Sequence, residues 1–244
     1  MSGHSHAKTI KHKKEITDKK RGQIFSKMAR LITVAVKSGG PNPETNSKLK
    51  LAVETARSFN LPSENIERAI KKGAGDLEGE KLEEVMYEAY GPGGVAILIE
   101  GIVDNKNRAL SEVKQVLTRY NGKLVNEGAI KWMFERKGCI TLNLPSQKEE
   151  FQGREKLELT VIEAGAEDFF WYDDDLDVYF KVEDLEAAKK NLQEKGLVIE
   201  SAVLDWRPKE RIELTEKDKE ACQKLFEFLD ELDSVQDVYS NSKL

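Results

Sequence analysis

The sequence predicts a multidomain protein of the α plus α/β class: a small N-terminal helical bundle followed by two α/β domains, at least one of them ferredoxin-like. One reason is that apolar residues follow helical spacing up to about residue 72 and strand-like spacing beyond it. The other is a segregation of charge. Residues 1–72 hold 16 lysines and arginines against six acids, whereas residues 73–244 hold 23 against 38. The first segment is therefore +10 in a chain whose net charge is −5.

Length and hydropathy argue against a membrane-spanning protein, and cysteine content argues against a disulfide-rich or zinc-finger protein. A chain of 244 residues with 39% hydrophobic residues can form hydrophobic cores. The longest apolar run, residues 95–99, is far shorter than the ~18–20 residues that cross a bilayer, so no membrane partner is expected. Cys139 and Cys222 are not part of a CxxC pattern, so neither a disulfide framework nor a zinc finger is indicated. We expect a cytoplasmic protein without a cofactor.

Residues 1–17 are predicted to be a flexible basic arm. Apart from Met1, their only large apolar side chains are Ile10 and Ile16, which cannot bury enough surface to offset the entropy of ordering the segment. All three histidines of the chain lie in this arm, with no cysteine or carboxylate set beside them. A metal site is therefore not predicted.

Residues 18–80 are predicted to form a basic domain of three short helices. Apolar residues recur at helical spacing from residue 24 to residue 35, from 49 to 59 and from 66 to 70. Pro62 separates the second and third helices, because the residue before a proline avoids helical geometry. Ser63 is the expected N-cap of the third helix and Gly73 its expected end. Such short apolar faces can pack only against each other, which predicts a bundle.

Residues 81–137 are predicted to begin the first α/β domain. Two strand-like segments, 84–90 and 95–103, flank Gly91-Pro92-Gly93-Gly94, which is typical of a hairpin connection. A helix over 108–120, with Leu110 among its inward residues, and a further extended segment around 129–134 are expected to follow.

Residues 138–206 show the order β-α-β-β-α-β, which matches the ferredoxin-like unit. Because this order is complete in itself, the helix predicted at 215–232 and the strand at 235–239 must pack elsewhere. The incomplete sheet of residues 81–137 lacks such a pair. We therefore predict a discontinuous α/β domain, 81–137 plus 207–244, into which 138–206 is inserted.

The clustered positive charge points to nucleic acid as the partner. Cations bind polyanions through release of condensed counterions, and a remote acidic domain offsets this only weakly beyond a Debye length of ~8–10 Å. No catalytic constellation emerges, since every histidine lies in the arm, so an enzyme is not predicted. The candidate nucleic-acid-binding residues are Lys8, Lys11, His12, Lys13, Lys14, Lys19, Lys20, Arg21, Lys27, Arg30, Arg68, Lys71 and Lys72.

Other interpretations of the N-terminal third remain open. The arm could serve only solubility, although solubility does not require the two signs of charge to be segregated. The second and third helices could form a helix-turn-helix, but Glu64 and Glu67 near the start of the third helix would oppose phosphate. Simple helix packing is the favoured interpretation. Phe25 and Phe59 are the only aromatic residues here, which disfavours a base-stacking surface in this third.

Several blocks of the sequence resemble the YebC/PmpR family. They include Gly3-His4-Ser5, Lys20-Arg21-Gly22 and Phe25-Ser26-Lys27, followed by longer blocks along the rest of the chain. The longer blocks are residues 10–14, 65–73, 87–95, 104–108, 134–138, 163–168 and 235–241. One departure is that the family usually has Lys-Trp-Ala-Asn after Gly-His-Ser, whereas this chain has His6-Ala7-Lys8-Thr9. If that tryptophan stacks on a base or packs the arm in the family, this chain does so differently or not at all.

The resemblance implies a three-domain α and α/β architecture without catalytic activity. Members of the family are commonly described as DNA-binding transcriptional regulators, which is the function we expect first. The alternative is a ribosome-associated translation factor, because relatives include a mitochondrial translational activator of cytochrome c oxidase subunit I and bacterial members that relieve stalling at proline-rich stretches. The expected partner is thus duplex DNA or ribosomal RNA. An acidic protein-interaction scaffold, in which the α/β domains bind other proteins, ranks last. The sequence does not determine the oligomeric state and is compatible with a monomer.

Overall fold

The computed structural model describes residues 18–78 and 81–243. These residues form two compact units, one made of 18–133 with 210–243 and the other of 134–209. The predicted arm, residues 1–17, lies outside the described residues. The helices, in chain order, are α1 (Asp18–Gly39), α2 (Ser47–Ser58), α3 (Ser63–Ala74), α4 (Lys106–Arg119), α5 (Arg154–Glu163), α6 (Leu185–Glu194) and α7 (Glu216–Asp230). The strands are β1 (Glu83–Tyr90), β2 (Ala96–Val103), β3 (Lys123–Val125), β4 (Phe134–Asn143), β5 (Asp168–Tyr172), β6 (Asp175–Phe180), β7 (Ser201–Pro208) and β8 (Val235–Ser240).

The first three helices form the predicted bundle, with α1 packed against both α2 and α3. Asn46 begins α2, because its side chain accepts a hydrogen bond from the N–H of Leu49. The start of α3 differs from the prediction, since Pro62 occupies the N-cap position and Ser63 is the first helical residue. The apolar stripes of the three helices meet in one core of Met28, Ile32, Ala35, Val36, Leu49, Ala52, Val53, Ala56, Leu61, Ile66 and Ala69.

The predicted end of α3 at Gly73 is wrong, and the reason is packing. The helix continues to Ala74 and ends at Gly75, whose φ of 88° is the left-handed conformation that glycine tolerates. Gly73 lies inside the helix, where a Cβ atom would stand 2.6 Å from the carbonyl oxygen of Thr33 and 2.6 Å from Cβ of Val36. Gly73 therefore allows α1 and α3 to approach closely.

The α/β part of the first unit contains an antiparallel sheet in the order β3-β1-β2-β8. The turn at residues 91–95 joins β1 and β2 as the predicted hairpin. Helices α4 and α7 cover one face of the sheet with Val113, Leu117, Leu225 and Phe226 in the core. Leu110, predicted to point inward, is exposed, because α4 buries Ala109, Val113 and Leu117 and this stripe leaves Leu110 outside it.

The second unit has an antiparallel sheet in the order β5-β6-β4-β7, the order of the ferredoxin-like fold. The turn between β5 and β6 has Asp173 in the left-handed conformation, at φ 53°, which suits the aspartates of that turn. At Gly138 in β4 a Cβ atom would stand 2.8 Å from Cβ of Leu185, so α6 lies close against the strand. In the described parts of both units, no helix is long and apolar enough to cross a membrane.

Candidate nucleic-acid interface

The predicted binding residues fall into three groups. Five of them, the four lysines and the histidine between positions 8 and 14, lie outside the described residues. Lys19, Lys20 and Arg21 lie in the first turn of α1, where the side chains of Lys20 and Arg21 are exposed. In the third group, Arg30, Arg68 and Lys72 line a groove, Lys27 makes an internal contact, and Lys71 is exposed outside the groove.

A groove of about 490 Å³ lies between α1 and α3. Its walls come from residues spaced three or four apart on each helix, so that one stripe of α1 faces one stripe of α3. The lining residues are Phe25, Ser26, Ala29, Arg30 and Thr33 from α1, Asn65, Arg68, Ala69 and Lys72 from α3, and Leu82 from the segment before β1.

The floor of the groove is set by close backbone approach. The buried hydroxyl of Thr33 lies 2.9 Å from the carbonyl oxygen of Ala29 on its own helix and 3.2 Å from that of Ala69 on α3. Gly73 has no side chain that would push the two helices apart. The hydroxyl of Thr33 therefore links the two walls of the groove, and the absence of a side chain at Gly73 lets them approach closely.

The charges of α3 are ordered along its axis. Glu64 stands in the first turn, where a carboxylate interacts favourably with the helix dipole, and Lys71 and Lys72 stand in the last turn, where cations do. Arg68 and Lys72, one turn apart, are exposed and line the groove. A helix-turn-helix reads bases with the N-terminal part of its recognition helix, which is the acidic end of α3. The cations instead lie beside the groove, which suits contact with phosphate.

Lys27 is occupied by a contact inside the protein. It is buried, and its Nζ donates a hydrogen bond of 2.7 Å to the carbonyl oxygen of Asp230. Arg30, one turn further along α1, donates from Nη1 to the carbonyl of Asp233 at 2.9 Å, and Gln23 donates to the carbonyl of Glu231. The last carbonyls of a helix lack partners within it and carry partial negative charge, so cations at this end of α7 are stabilising.

Of the residues predicted for the third group, the structure thus brings Arg30, Arg68 and Lys72 to one groove. Lys71 is exposed on a neighbouring face of α3, and Lys27 joins α1 to the end of α7. Three neutral polar residues of the groove, Ser26, Thr33 and Asn65, are not among those predicted from the sequence. Their spacing is a usable signal, because Ser26 lies one turn before Arg30 and Asn65 one turn before Arg68.

The described parts of the chain contain no group of three or more histidine, cysteine or acidic side chains that could hold a metal ion. Both cysteines are buried and free, and burial raises the pKa of the Cys222 thiol to about 12. The features that the structure brings together for binding are therefore cations and hydrogen-bond donors of a helical bundle carried by an α/β protein.

Comparison with known proteins places the chain in a family. Residues 5–76 match the model of the TACO1/YebC N-terminal domain, and residues 82–242 match that of the TACO1/YebC second and third domain. The chain belongs to the TACO1/YebC family.

Its relatives are similar over their full length. A probable transcriptional regulatory protein of Prosthecochloris aestuarii is 46% identical, with 99% of this chain and 95% of the relative covered. A probable transcriptional regulatory protein of Aquifex aeolicus is also 46% identical, over 100% and 96%. The crystal structure of a conserved hypothetical protein from Aquifex aeolicus superposes with a TM-score of 0.85 at 44% identity, over 93% of this chain and 91% of that one.

Proposed function

We propose that this protein is a non-enzymatic transcriptional regulator that binds duplex DNA through its helical bundle, with the groove between α1 and α3 holding the phosphate backbone. The observation that carries the proposal is that Arg68 and Lys72, both exposed, lie on one wall of the groove. Arg30 lines the facing wall and also donates to the carbonyl of Asp233. The relatives named as probable transcriptional regulatory proteins support the regulatory role.

The groove supplies the groups that phosphate contacts require. The guanidinium of Arg68 can donate two parallel hydrogen bonds to one phosphate, and Lys72 adds a compact charge one turn away. Ser26 and Asn65 offer neutral donors on the same walls. Such contacts position a backbone and carry no sequence information, so the protein binds DNA by charge and shape at this surface.

The internal contacts of α1 give this binding a fixed direction. Lys27 and Arg30 donate to carbonyls at and after the end of α7, so the bundle is joined to the α/β part of its own unit. DNA in the groove then holds that acidic part at a set position beside the duplex. We assign to it the contacts with proteins that a regulator needs.

Charge reversal in the groove tests the proposal. Arg68→Glu combined with Lys72→Glu removes two phosphate contacts and adds repulsion, so affinity for a fluorescein-labelled mixed-sequence DNA duplex is expected to fall at least tenfold in anisotropy titrations at low salt. The matched control is Lys217→Glu with Lys224→Glu, which makes the same charge change at two exposed positions of α7. If the double groove variant binds as the control does, or if the unmodified chain binds no duplex at low salt, the DNA proposal fails.

Ribosomal RNA is the second candidate, and the acidic start of α3 favours it. With Glu64 and Glu67 at the end of the helix that a helix-turn-helix would present to the bases, the bundle lacks a base-reading helix and suits compact folded RNA as well as DNA. Co-sedimentation with ribosomes after nuclease removal of DNA is the expected result in that case. Unchanged ribosome binding after deletion of residues 1–21 would contradict a role for the arm.

A further inference from the structure

A second exposed surface lies at the free edge of the first sheet and combines aromatic rings with lysines. Trp132, at 65%, is the most exposed large apolar side chain of the described residues, and Tyr90 is 39% exposed. Lys123 and Lys131 are exposed beside them in the chain and across the strands. We call these four residues, Tyr90, Lys123, Lys131 and Trp132, the aromatic edge.

The aromatic edge is connected by strand pairing and by one carboxylate. Tyr90 in β1 lies directly opposite Lys123 in β3, so their Cβ atoms are ~5 Å apart. Glu88 lies two residues before Tyr90 and therefore on the same face of β1. Its carboxylate accepts hydrogen bonds from the N–H groups of Gly128 at 2.5 Å, Ile130 at 2.7 Å and Lys131 at 3.0 Å. The loop that carries Lys131 and Trp132 is thus fixed to the face of β1 that also carries Tyr90.

The orientation of the Trp132 ring is also fixed. Its Nε1 donates a hydrogen bond of 2.9 Å to the carbonyl oxygen of Ala129, and the fully buried Ile130 anchors the loop between them. Because the ring N–H is already used, Trp132 offers a partner the faces of its indole ring and not a hydrogen bond. A rigid exposed aromatic face of this kind binds by stacking.

The charges beside the rings indicate what stacks there. Lysine is depleted at protein–protein interfaces, whereas aromatic rings interleaved with cations are the arrangement that binds single-stranded nucleic acids. Every nucleobase has a π-face, and stacking contributes most when the base is unpaired. The only acid in the loop at residues 126–133 is Glu127, and the adjacent cations favour a polyanion.

We propose that the aromatic edge is a second nucleic-acid contact, which stacks unpaired bases on Trp132 and Tyr90 while Lys123 and Lys131 attract the adjoining phosphates. The inference rests on the proposed nucleic-acid function but concerns a surface separate from the groove. A protein that uses both surfaces binds a nucleic acid with a paired segment for the groove and an unpaired segment for the edge.

Substitutions at Trp132 test this assignment. With a labelled single-stranded RNA of mixed sequence, Trp132→Ala is expected to bind about tenfold more weakly, whereas Trp132→Phe, which keeps a stacking face, recovers most of the affinity. With the same RNA annealed to its complement, Trp132→Ala binds as the unmodified chain does. The control is Leu159→Ala, which removes another exposed large side chain, 62% exposed, from α5.

The readouts separate this inference from the proposed function. Quenching of tryptophan fluorescence by the single strand is expected in the unmodified chain and absent in Trp132→Ala. Equal single-strand affinity of Trp132→Ala and the control, with retained sensitivity of duplex binding to the groove variant, overturns the aromatic edge and leaves the groove standing. A decrease in duplex binding by Trp132→Ala equal to its decrease in single-strand binding also overturns it, because stacking requires unpaired bases.

Discussion

The groove and the aromatic edge are each supported by one buried charged side chain, a cation behind the groove and an anion behind the edge. Behind the groove, the buried ammonium of Lys27 meets the carbonyl of Asp230. Behind the edge, the buried carboxylate of Glu88 meets three backbone N–H groups of one loop. In both cases a charged side chain satisfies backbone groups that no helix or strand pairs, and in doing so it fixes a surface that faces solvent.

The difference between them is the number of backbone groups involved and their place in the chain. Glu88 binds a single turn about 40 residues away in sequence, whereas Lys27 reaches a helix end 203 residues away. The first contact orders a loop, and the second joins the helical bundle to the α/β part of the same unit. Removing each side chain should therefore affect a different part of the protein and to a different extent.

The largest effect is expected from Glu88→Ala. The substitution leaves three buried or half-buried N–H groups without an acceptor, and hydrogen bonds to a charged group contribute ~1.5–3 kcal/mol each. We expect a decrease of ~3 kcal/mol or more in the free energy of unfolding in urea. Single-strand affinity should fall with it, because Trp132 is no longer held by a fixed loop, while duplex affinity stays within twofold. Glu84→Ala on the same strand, an exposed carboxylate, is the control and should cost less than ~1 kcal/mol.

A smaller effect is expected from Lys27→Ala. One partly buried carbonyl, that of Asp230, loses this donor, and the packing of the aliphatic lysine stem is removed as well, for a cost of ~1–3 kcal/mol. Lys27→Met keeps the stem and separates the two contributions. Lys20→Ala, an exposed lysine of the same helix, should leave stability unchanged. An unchanged free energy of unfolding in urea for Lys27→Ala would show that this contact does not stabilise the attachment of the bundle to α7.

These two contacts also mark the boundary of what sequence can predict. The bundle, the hairpin through residues 91–94 and the ferredoxin-like order follow from local periodicity and turn residues, and the structure has all three. The segment around 129–134 is predicted to be extended, but the structure has a turn at Lys131–Met133. The turn is fixed in part by the carboxylate of Glu88, more than 40 residues away in sequence, which the local pattern does not contain.

The candidate binding residues also depend on contacts that are distant in sequence. Lys27 and Arg68 are equivalent in a count of charge, and both fit a polyanion-binding segment. Which of the two is internal and which is exposed depends on the side of α1 or α3 that packs against another element. Helical spacing does not determine this. Spacing does group Ser26 with Arg30 and Asn65 with Arg68, so the stripes of the groove are present in the sequence although their pairing is not.

The pH dependence of stability distinguishes Glu88 from Lys27. Burial raises the pKa of the Glu88 carboxyl, but the N–H groups of Ile130, Gly128 and Lys131, together with the positive charge of Lys131, lower it more, so that it lies below its ordinary value of 4.5. A carboxyl with a depressed pKa in the folded state stabilises fully above 4.5, and this contribution disappears as the pH falls through the folded pKa. The difference in unfolding free energy between the unmodified chain and Glu88→Gln should thus shrink as the pH falls below about 4.5. The corresponding difference for Lys27→Met should not change over this window, because the acceptor of its hydrogen bond is a backbone carbonyl, which does not titrate.

The smallest expected effect is a change of salt dependence without a change of stability. Each phosphate that a protein neutralises adds ~0.9 to the steepness of log affinity against log salt on duplex DNA, so Arg68→Ala with Lys72→Ala should flatten that slope by close to two. Trp132→Ala should leave the slope unchanged and lower single-strand affinity equally at every salt concentration, because stacking releases no counterions. Both variants concern exposed side chains, and their unfolding free energies should stay within ~0.5 kcal/mol of the unmodified chain. If Trp132→Ala flattens the salt slope as the groove variant does, the two surfaces are not separate. In that case phosphate binding, and not stacking, explains the aromatic edge.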